Sequence, residues 1–275
     1  MKLIDCELFI TPEELTKKEH SNLMKFEEVA KKGLLASPVN KDFLDLMSND
    51  KADQKFTFYN GSPILFPKVI NDHLLNKELP LDYFSNSYLQ YFLLSQIKGK
   101  SEINAPSNSF AANKHFNRMK EFCEEIGQGT LLDVGCDKPS LSHLFYPSGI
   151  NYIGLDPSFS NDEFKIIGMA EFLPFTNNAF DFVSFNTSLD HVLDYHTALD
   201  EAFRVLKKGG SLILASYVWK DKATLLSDNV HFHHFREFNL FGALESTFSI
   251  ETVKRYQDPK NEDHRYGIYI LAKKK

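Results

Sequence analysis

The residues of this 275-residue chain that could do chemistry stand where predicted strands end. One apolar stretch ends at Asp133-Val-Gly-Cys136, and the next ends at Gly154-Leu-Asp156. A small turn after a strand lets the backbone approach a ligand closely, and the following helix points its amide groups at that ligand. A carboxylate at the end of the second strand can accept hydrogen bonds from both hydroxyls of a ribose. Together the two strand ends predict a nucleoside ligand.

Two further blocks follow along the chain. The first is Gly168-Met-Ala-Glu-Phe-Leu-Pro-Phe175, with Phe180-Asp-Phe-Val183 opening the next predicted strand. The second is Arg204-Val-Leu-Lys-Lys-Gly-Gly210, which predicts a helix end, a Gly-Gly turn and then a buried strand. Between them, the polar run from Asn186 to His191 lies just past a predicted strand end.

Strand-like and helix-like stretches alternate from Thr130 to the end of the chain. Short connections between such stretches predict an α/β fold, with a doubly wound, mostly parallel sheet covered by helices on both faces. The last two strands have only a polar loop between them, which predicts an antiparallel hairpin. The predicted elements are Leu131 to Val134, Ser140 to Phe145, Tyr152 to Leu155, Phe164 to Ile167, Phe182 to Asn186, His196 to Leu206, Ser211 to Tyr217, Phe235 to Glu245, Ser249 to Arg255 and Tyr266 to Ala272.

The N-terminal third predicts helices and a small β unit. Thr11 to His20 and Asn22 to Lys32 are predicted as two helices, the first capped by Thr with Pro at its first position. Phe56 to Tyr59 and Pro63 to Phe66 are predicted as short strands. Asn60-Gly61 between them favours a type I′ turn, because both residues tolerate positive φ.

A domain boundary is predicted in the polar, Pro-interrupted segment from Gly99 to Ser109, which follows a predicted aromatic helix from Asp82 to Ile97. Residues 1–105 are accordingly expected to form an N-terminal extension. Residues 106–275 are expected to form the ligand-binding domain.

Composition narrows the class of protein. A formal net charge of −6 gives no general attraction for nucleic acid, so no nucleic-acid partner is expected. The apolar stretch from Ser211 to Trp219 is too short to cross a bilayer, and the first residues lack the pattern of a signal peptide, which predicts a cytoplasmic protein. The cysteines, Cys6, Cys123 and Cys136, have no zinc spacing and are expected to be reduced thiols.

The four blocks, in this order and spacing, resemble the class I S-adenosylmethionine-dependent methyltransferases. The resemblance is to the methyltransferase type 11 branch that includes the ubiquinone/menaquinone-biosynthesis enzymes, and it covers about residues 110 to 275, with the run AEFLPF, FDFV, LDHV and RVLKKGG. It implies a Rossmann-like, seven-stranded sheet and S-adenosylmethionine as methyl donor, with S-adenosylhomocysteine as product and no metal. A dehydrogenase is disfavoured, because DVGCDKPS after the first strand lacks GxGxxG.

The resemblance implies a role for each strand end. Asp133 and Gly135 would shape the pocket for the methionine end of the cofactor. Asp156 would hold the ribose, and the Ala170 amide would bond the adenine. Asn186 would form the floor of the pocket. For Glu171, the alternative to a role in ligand binding is a position in a surface turn. The implied cofactor residues are Asp133, Gly135, Cys136, Asp137, Asp156, Pro157, Met169, Ala170, Glu171 and Asn186.

This chain departs from the family pattern at two places. Relatives usually read GCGxG, whereas Gly135-Cys-Asp-Lys-Pro139 puts Asp and Pro where two glycines usually stand. Asp137 is therefore expected to adopt left-handed backbone angles, which Asp tolerates better than most residues. Met169 stands where relatives often carry an Asp that bonds the adenine amine. Each departure would weaken cofactor binding without abolishing it.

Methyl transfer from a sulfonium requires little from the protein except alignment of the nucleophile, the methyl group and the sulfur, because the leaving group is already activated. His191 is the candidate base for an acceptor that carries a proton, with Asp190 or Asp194 as orienting partner. Packing or capping of the following helix is the alternative role of His191. The run His231-Phe-His-His-Phe235 lacks an acidic or cysteine partner of zinc spacing, so packing or acceptor contact is favoured over metal. His115 and the stretch from Asn108 to Phe116 are expected to cover the cofactor.

The N-terminal segment resembles a second family. Asp42 to Asp50 and Tyr59 to Pro67 resemble the small Trm112-like zinc ribbon, but the zinc-binding cysteines are absent. A metal-free β remnant at about residues 41–70 is therefore expected. A platform for a protein partner or a second copy of the chain, a cover for the acceptor and a packing extension all remain open as its role.

The function predicted from the sequence is methyl transfer to a small-molecule, lipid-linked or sugar-linked acceptor, at oxygen or carbon. The alternative is a cofactor-binding but catalytically silent partner or regulatory subunit, because Asp137 and Pro139 alter the cofactor turn. Amino-methylation is disfavoured, because Asn186-Thr-Ser-Leu189 stands where NPPY-like motifs occur.

Overall fold

The computed structural model describes residues 3–6, 17–41, 56–67, 70, 114–124, 126–159, 163–220, 231–257 and 264–275. The predicted aromatic helix from Asp82 to Ile97 and the predicted domain boundary lie outside these residues, as does the predicted cap at Thr11. Their predictions therefore stay untested.

The strands are β1 Leu3–Cys6, β2 Phe56–Tyr59, β3 Ser62–Pro63, β4 Thr130–Val134, β5 Asn151–Asp156, β6 Ile166–Ile167, β7 Phe180–Asn186, β8 Leu206–Trp219, β9 Phe248–Gln257 and β10 Arg265–Lys274. The α-helices are α1 Lys17–Lys31, α2 Lys114–Cys123, α3 Pro139–Ser142, α4 Tyr195–Val205 and α5 Glu237–Glu245. Short 3₁₀ turns span His143–Phe145, Ala170–Phe172 and Leu189–His191.

Within the described residues, seven strands form one sheet in the order β6-β5-β4-β7-β8-β10-β9. The first five run parallel, and β10 pairs antiparallel with both β8 and β9. This confirms the predicted doubly wound, mostly parallel, Rossmann-like sheet and its terminal hairpin. The strand order reverses at β4, with β5 on one side and β7 on the other. Ligands bind at such a reversal, beyond the carboxyl ends of the strands.

The sheet forms because its central strands are apolar on both faces. Leu131 and Leu132 of β4 are fully buried, as are Leu212 to Leu214 of β8. Helix α4 buries one stripe, with Ala198, Leu199, Ala202 and Val205 at the spacing of a helix face. Strands buried on both faces need such cover from helices, so the burial pattern agrees with the layered architecture.

The predicted Gly-Gly turn before β8 is wrong, because β8 begins at Leu206, directly after α4. Gly209 adopts φ +73° inside the strand, and the pairing register with β7 shifts there. A Cβ at Gly210 would lie 2.9 Å from the carbonyl oxygen of Asp181. The two glycines therefore allow an irregular strand to approach its neighbour, rather than a turn.

The predicted break between the two N-terminal helices is wrong. α1 runs through the predicted break from Lys17 to Lys31. Asn22, which was expected to open the second helix, is buried, and its side-chain amide donates to the carbonyl of Asn60 at 2.9 Å. Its amide thus holds the hairpin turn and does not cap a helix end.

The hairpin is present and its turn has the predicted geometry. Asn60 and Gly61 have φ of +48° and +78°. β2 also pairs with β1, a strand that sequence reasoning did not predict. The second predicted strand is shorter than expected, because Ile64 instead forms a parallel bridge to Ile167 of β6. The amide of Leu65 donates to the carbonyl of Ile167 at 2.8 Å, so the hairpin continues the large sheet past its edge.

The described part of the N-terminal extension shares its core with the sheet. Phe26 of α1 is fully buried and meets the ring of Phe58 edge-on at 5.4 Å. Leu35 forms an antiparallel bridge with Phe175. Both regions thus contribute to one apolar cluster that reaches α4 and β8. In the part of the chain described here, no helix has the length and apolar character that crossing a membrane requires.

Candidate functional site

A pocket opens at the carboxyl ends of β4, β5 and β7. The empty space within it is about 530 Å³, which includes space open to solvent. Thr187, Ser188 and His191 close the side next to β7. Six of the residues predicted to bind a nucleoside cofactor line this pocket: Gly135, Asp156, Pro157, Met169, Ala170 and Glu171.

Asp133 lies behind the pocket wall and is fully buried. Its carboxylate accepts hydrogen bonds from the hydroxyls of Tyr146 at 3.0 Å, Tyr152 at 2.9 Å and Ser142. Burial raises the pKa of Asp133, and the three hydroxyl donors oppose that rise. These contacts join the end of β4 to α3 and β5, so Asp133 shapes the site from behind.

Gly135 is required by the shape of the turn after β4. Its φ is +83°, and a Cβ there would lie 2.3 Å from the Cβ of Ser188. The amides of Gly135 and Cys136 donate to the carbonyl of Leu155 at 2.7 and 3.2 Å. Cys136 is buried, which raises the pKa of its thiol and keeps it a neutral packing group.

The departure from the glycine pattern is accommodated by the backbone. Asp137 adopts φ +45°, the left-handed conformation expected for it. Its amide donates to Oδ2 of Asp156 at 2.9 Å. Pro139 occupies the first turn of α3, where a missing amide hydrogen costs no helical bond. The altered turn is therefore compatible with the fold.

Asp156 has partners within the protein that sequence reasoning missed. Its carboxylate accepts from the amide of Ser158 at 2.9 Å and from the hydroxyl of the same residue, in addition to the Asp137 amide. Nζ of Lys165 lies 3.7 Å from Oδ1 and donates to Ser158 Oγ at 2.9 Å. A carboxylate offers roughly four acceptor positions, so at most about one remains for a ribose hydroxyl. The only sequence signal for Lys165 is a charge placed directly before the apolar pair Ile166-Ile167.

The wall formed by Met169 to Glu171 is tied to α4. Glu171 is buried, and its Oε1 accepts from the amides of Leu193 at 2.6 Å and Asp194 at 3.1 Å. The surface-turn alternative for Glu171 is therefore wrong. Burial raises the pKa of Glu171, and its Oε2 has no hydrogen-bond partner among the described residues.

Asn186 ends β7 but does not line the pocket. Its Oδ1 lies 2.8 Å from Nε2 of His115 in α2, and Nδ1 of His115 lies 2.6 Å from the hydroxyl of Tyr269. Burial lowers the pKa of His115. His115 thus joins α2 to the end of β7 and to the middle of β10. The chain just before α2 lies outside the described residues.

His191 lines the pocket at the end of a 3₁₀ turn. Its Nε2 lies 3.9 Å from Oδ1 of Asp190, beyond hydrogen-bond distance. Asp194, the other candidate partner, instead caps α4, where its carboxylate accepts from the amide of His196 at 3.0 Å and the hydroxyl of Thr197 at 2.7 Å. Asp190 is therefore the carboxylate beside His191.

The histidine run has an acidic partner that its sequence neighbourhood does not contain. Nε2 of His231 lies 3.7 Å from Oδ2 of Asp190, and the rings of His191 and His231 are 4.7 Å apart. This corrects the premise that no acidic side chain accompanies the run. His233 has the predicted packing role, with Nε2 2.8 Å from the carbonyl oxygen of Val192.

Comparison with known proteins agrees with this geometry. A family model described as a methyltransferase domain matches residues 97–256. The ubiquinone/menaquinone biosynthesis C-methyltransferase of Rickettsia prowazekii is 36% identical over 86 residues, which cover 31% of this chain and 33% of that protein. The demethylmenaquinone methyltransferase of Oceanobacillus iheyensis is 31% identical over 152 residues, which cover 47% of this chain and 58% of that protein.

The chain thus spans between about a third and three fifths of the length of these curated relatives. Among solved structures, the 1,6-didemethyltoxoflavin-N1-methyltransferase of Burkholderia thailandensis, which holds S-adenosylhomocysteine, superposes with a TM-score of 0.50. The match has 15% identity and covers 72% of this chain and 91% of that one. At this identity the likeness concerns the fold.

Proposed function

Because the chain belongs to the methyltransferase domain family, we propose that it transfers a methyl group from S-adenosylmethionine to a small-molecule acceptor. One observation carries the proposal. The pocket at the strand-order reversal is lined by six of the ten residues that the sequence assigned to a nucleoside cofactor. Those six come from separate strand ends and the 3₁₀ turn after β6, so their convergence supports a common ligand.

The pocket residues fit S-adenosylmethionine. Asp156 keeps at most about one acceptor position for a ribose hydroxyl, and Glu171 offers a buried, unpartnered oxygen to a ligand donor such as an amine. The product S-adenosylhomocysteine would use the same contacts. When bound, S-adenosylmethionine supplies a methyl group on a positively charged sulfur.

The chain itself supplies a rigid wall that aligns the acceptor with the methyl group. The turn at Gly135 is fixed to β5 by backbone hydrogen bonds, and Ser188 is fixed to β4 by a bond from its hydroxyl to the carbonyl of Val134 at 2.5 Å. Such rigidity favours one approach of the acceptor to the methyl group. His191 borders the pocket next to β7, and we assign it and Asp190 to the acceptor side of the site.

The acceptor class follows from chemistry and from the relatives. The names of both relatives point to quinone precursors, and one specifies methylation at carbon. A carbon that attacks a sulfonium must be electron-rich, so we propose the reduced, phenolic form of such a ring. Hydroxyl oxygen is the alternative methylated atom, and a lipid-linked or sugar-linked acceptor uses the same transfer.

A second candidate function is a cofactor-binding subunit without turnover. It is favoured by the internal partners of Asp156, because Lys165 and the Asp137 amide take contacts that a cofactor ribose would otherwise receive.

Calorimetric titration of the full chain with S-adenosylmethionine and S-adenosylhomocysteine tests both candidates. We expect binding of both ligands, at least tenfold weaker in Asp156→Ala and unchanged in Asp200→Ala, an exposed carboxylate of α4. Absence of binding at millimolar ligand would overturn both functions. Binding without formation of S-adenosylhomocysteine, when reduced demethylmenaquinone analogues are supplied, supports the silent subunit.

A further inference from the structure

Asp190, His191 and His231 bring one carboxylate and two imidazoles together beside the pocket. Their potential ligand atoms all lie within 4.8 Å of one another. We propose that these three side chains bind a divalent first-row transition cation such as Zn²⁺, which in turn binds a hydroxyl oxygen of the acceptor. The cation site is argued from this geometry and from the burial of Asp190, whereas the role of the cation rests on the proposed methyl transfer.

The distances favour a shared ion over direct hydrogen bonds. The two imidazole nitrogens lie 3.9 and 3.7 Å from the oxygens of Asp190, too far to donate to them. Ligand atoms around a tetrahedral Zn²⁺, with bonds of about 2.0–2.1 Å, are about 3.3 Å apart. A contraction of a few tenths of an ångström in each of these two pairs would bring the nitrogens and the carboxylate to that spacing. Two histidines and one carboxylate form a recurrent set for catalytic Zn²⁺ and for Fe²⁺ with open positions.

The buried carboxylate supplies an independent observation. The side chain of Asp190 is 2% exposed, and its Oδ1 has no hydrogen-bond partner among the described residues. An unsatisfied charged oxygen is costly in the protein interior. A cation bound between Asp190 and the two histidines would satisfy it.

The backbone fixes the three ligands relative to one another. The amides of Phe232 and His233 donate to the carbonyl of Asp190 at 2.9 and 3.1 Å. The amide of His191 donates to the carbonyl of Ser188 at 3.0 Å. These bonds hold the histidine run against the 3₁₀ turn, so the fold brings the three ligands together. Ligand atoms that lie up to 4.8 Å apart must close by as much as about 1.5 Å by side-chain rotation.

A cation here defines the acceptor as a hydroxylated molecule. A cation lowers the pKa of an oxygen that it binds, as Zn²⁺ lowers that of water to about 7. The hydroxyl proton leaves to solvent, and the resulting oxyanion, or a ring carbon that it activates, attacks the methyl carbon. A bond forms to the methyl carbon while the carbon–sulfur bond breaks, and its electron pair returns to sulfur. When a ring carbon is the nucleophile, the hydrogen on that carbon then leaves as a proton to solvent, which restores the aromatic ring. His191 then acts as a ligand, and no separate base is required.

The test uses the full chain, freed of metal by dialysis against a chelator and titrated with Co²⁺ and Zn²⁺ in the absence of S-adenosylmethionine. We expect one Co²⁺ per chain with visible d–d absorption that Zn²⁺ displaces. His231→Ala and Asp190→Asn should each weaken binding at least tenfold, with unchanged circular dichroism. His196→Ala, an exposed histidine on α4, should bind as the unaltered chain does.

Three results would overturn the proposal. They are no bound ion at millimolar metal, binding that is unchanged in both His231→Ala and Asp190→Asn, and a near-ultraviolet thiolate band that places the ion at a cysteine. Because no methyl donor is present, these results are distinguishable from failure of the methyltransferase function. That function is tested separately by binding of S-adenosylmethionine.

Discussion

Nζ of Lys165 lies 3.7 Å from Oδ1 of Asp156, and neither side chain is more than 1% exposed. Removing one partner of a buried ion pair leaves an uncompensated charge and typically costs about 3–5 kcal/mol. We therefore expect Lys165→Met to lower the free energy of unfolding, measured with urea, by about that amount. The exposed Lys138→Met should change it by less than about 0.5 kcal/mol. A loss in Lys165→Met as small as that of the control would show that the pair contributes nothing.

The turn at Gly135 should not accept any side chain. Gly135→Ala places a Cβ at φ +83° and 2.3 Å from the Cβ of Ser188, so strain and steric overlap act together. We expect a loss of more than about 2 kcal/mol in the free energy of unfolding, with weakened binding of S-adenosylmethionine. Gly127→Ala is the matched control, because nothing lies within 4 Å of its added Cβ. Equal unfolding midpoints for the two variants would contradict the close contact.

The cap of α4 should stabilise the protein only where Asp194 is ionised. The hydrogen bond from the hydroxyl of Thr197 lowers the pKa of Asp194. A carboxyl with a lowered folded-state pKa stabilises the fold above its unfolded pKa of about 3.9, and that contribution is lost as the pH falls through the folded value. Asp194→Ala should therefore cost about 1 kcal/mol at pH 7 and less below pH ~4.

Asp194→Asn is the control for this cap. Asn retains a capping oxygen but has no proton to exchange, so its stability difference from Ala should not vary with pH over this range. Urea unfolding of all three proteins at several pH values measures the effect. If the unaltered protein and Asp194→Asn differ in free energy of unfolding by the same amount at every pH, the ionised cap is ruled out.

The carboxylate of Asp133 should depend on its hydroxyl donors. Tyr152→Phe removes the bond of 2.9 Å to Oδ2 and should raise the pKa of Asp133 beyond the rise that burial already causes. When the pKa of a carboxyl is higher in the folded than in the unfolded protein, the folded protein loses stability as the pH rises through the folded-state value. The loss in the free energy of unfolding caused by Tyr152→Phe should therefore grow with pH. We expect about 1.5–3 kcal/mol at neutral pH. Tyr256→Phe, whose ring packs on Tyr269, should show no such pH dependence.

Several local patterns predict the structure correctly, although the Gly-Gly turn before β8 is an exception, whereas contacts between distant segments are not predicted. The type I′ turn at Asn60-Gly61 and the left-handed Asp137 depend on the residues themselves, so the sequence predicts them. The strands of the large sheet follow from short apolar runs between turns. The single helix α1 was missed because the contact between Asn22 and Asn60 lies outside any local pattern.

In the candidate site, too, residues marked by a local pattern are predicted, whereas contacts between distant residues are not. Six of the residues predicted to hold the cofactor line the pocket, because each lies at a strand end or within a recognisable sequence block. Lys165 and His231 were missed as partners of Asp156 and Asp190, because those pairs exist only after the strands align and the chain between them folds back. Neither spacing nor residue type records such a pairing.

The bridge between Ile64 and Ile167 bears on the solubility of the protein. β6 is the outermost parallel strand, and an unpaired outermost strand offers its amides and carbonyls to other molecules. The chain that leaves the hairpin at Ser62–Pro63 pairs with this outer strand. It therefore shields the sheet from the addition of a strand from another molecule. A shortened chain that keeps the pocket but lacks this hairpin would expose that border and become prone to ordered aggregation.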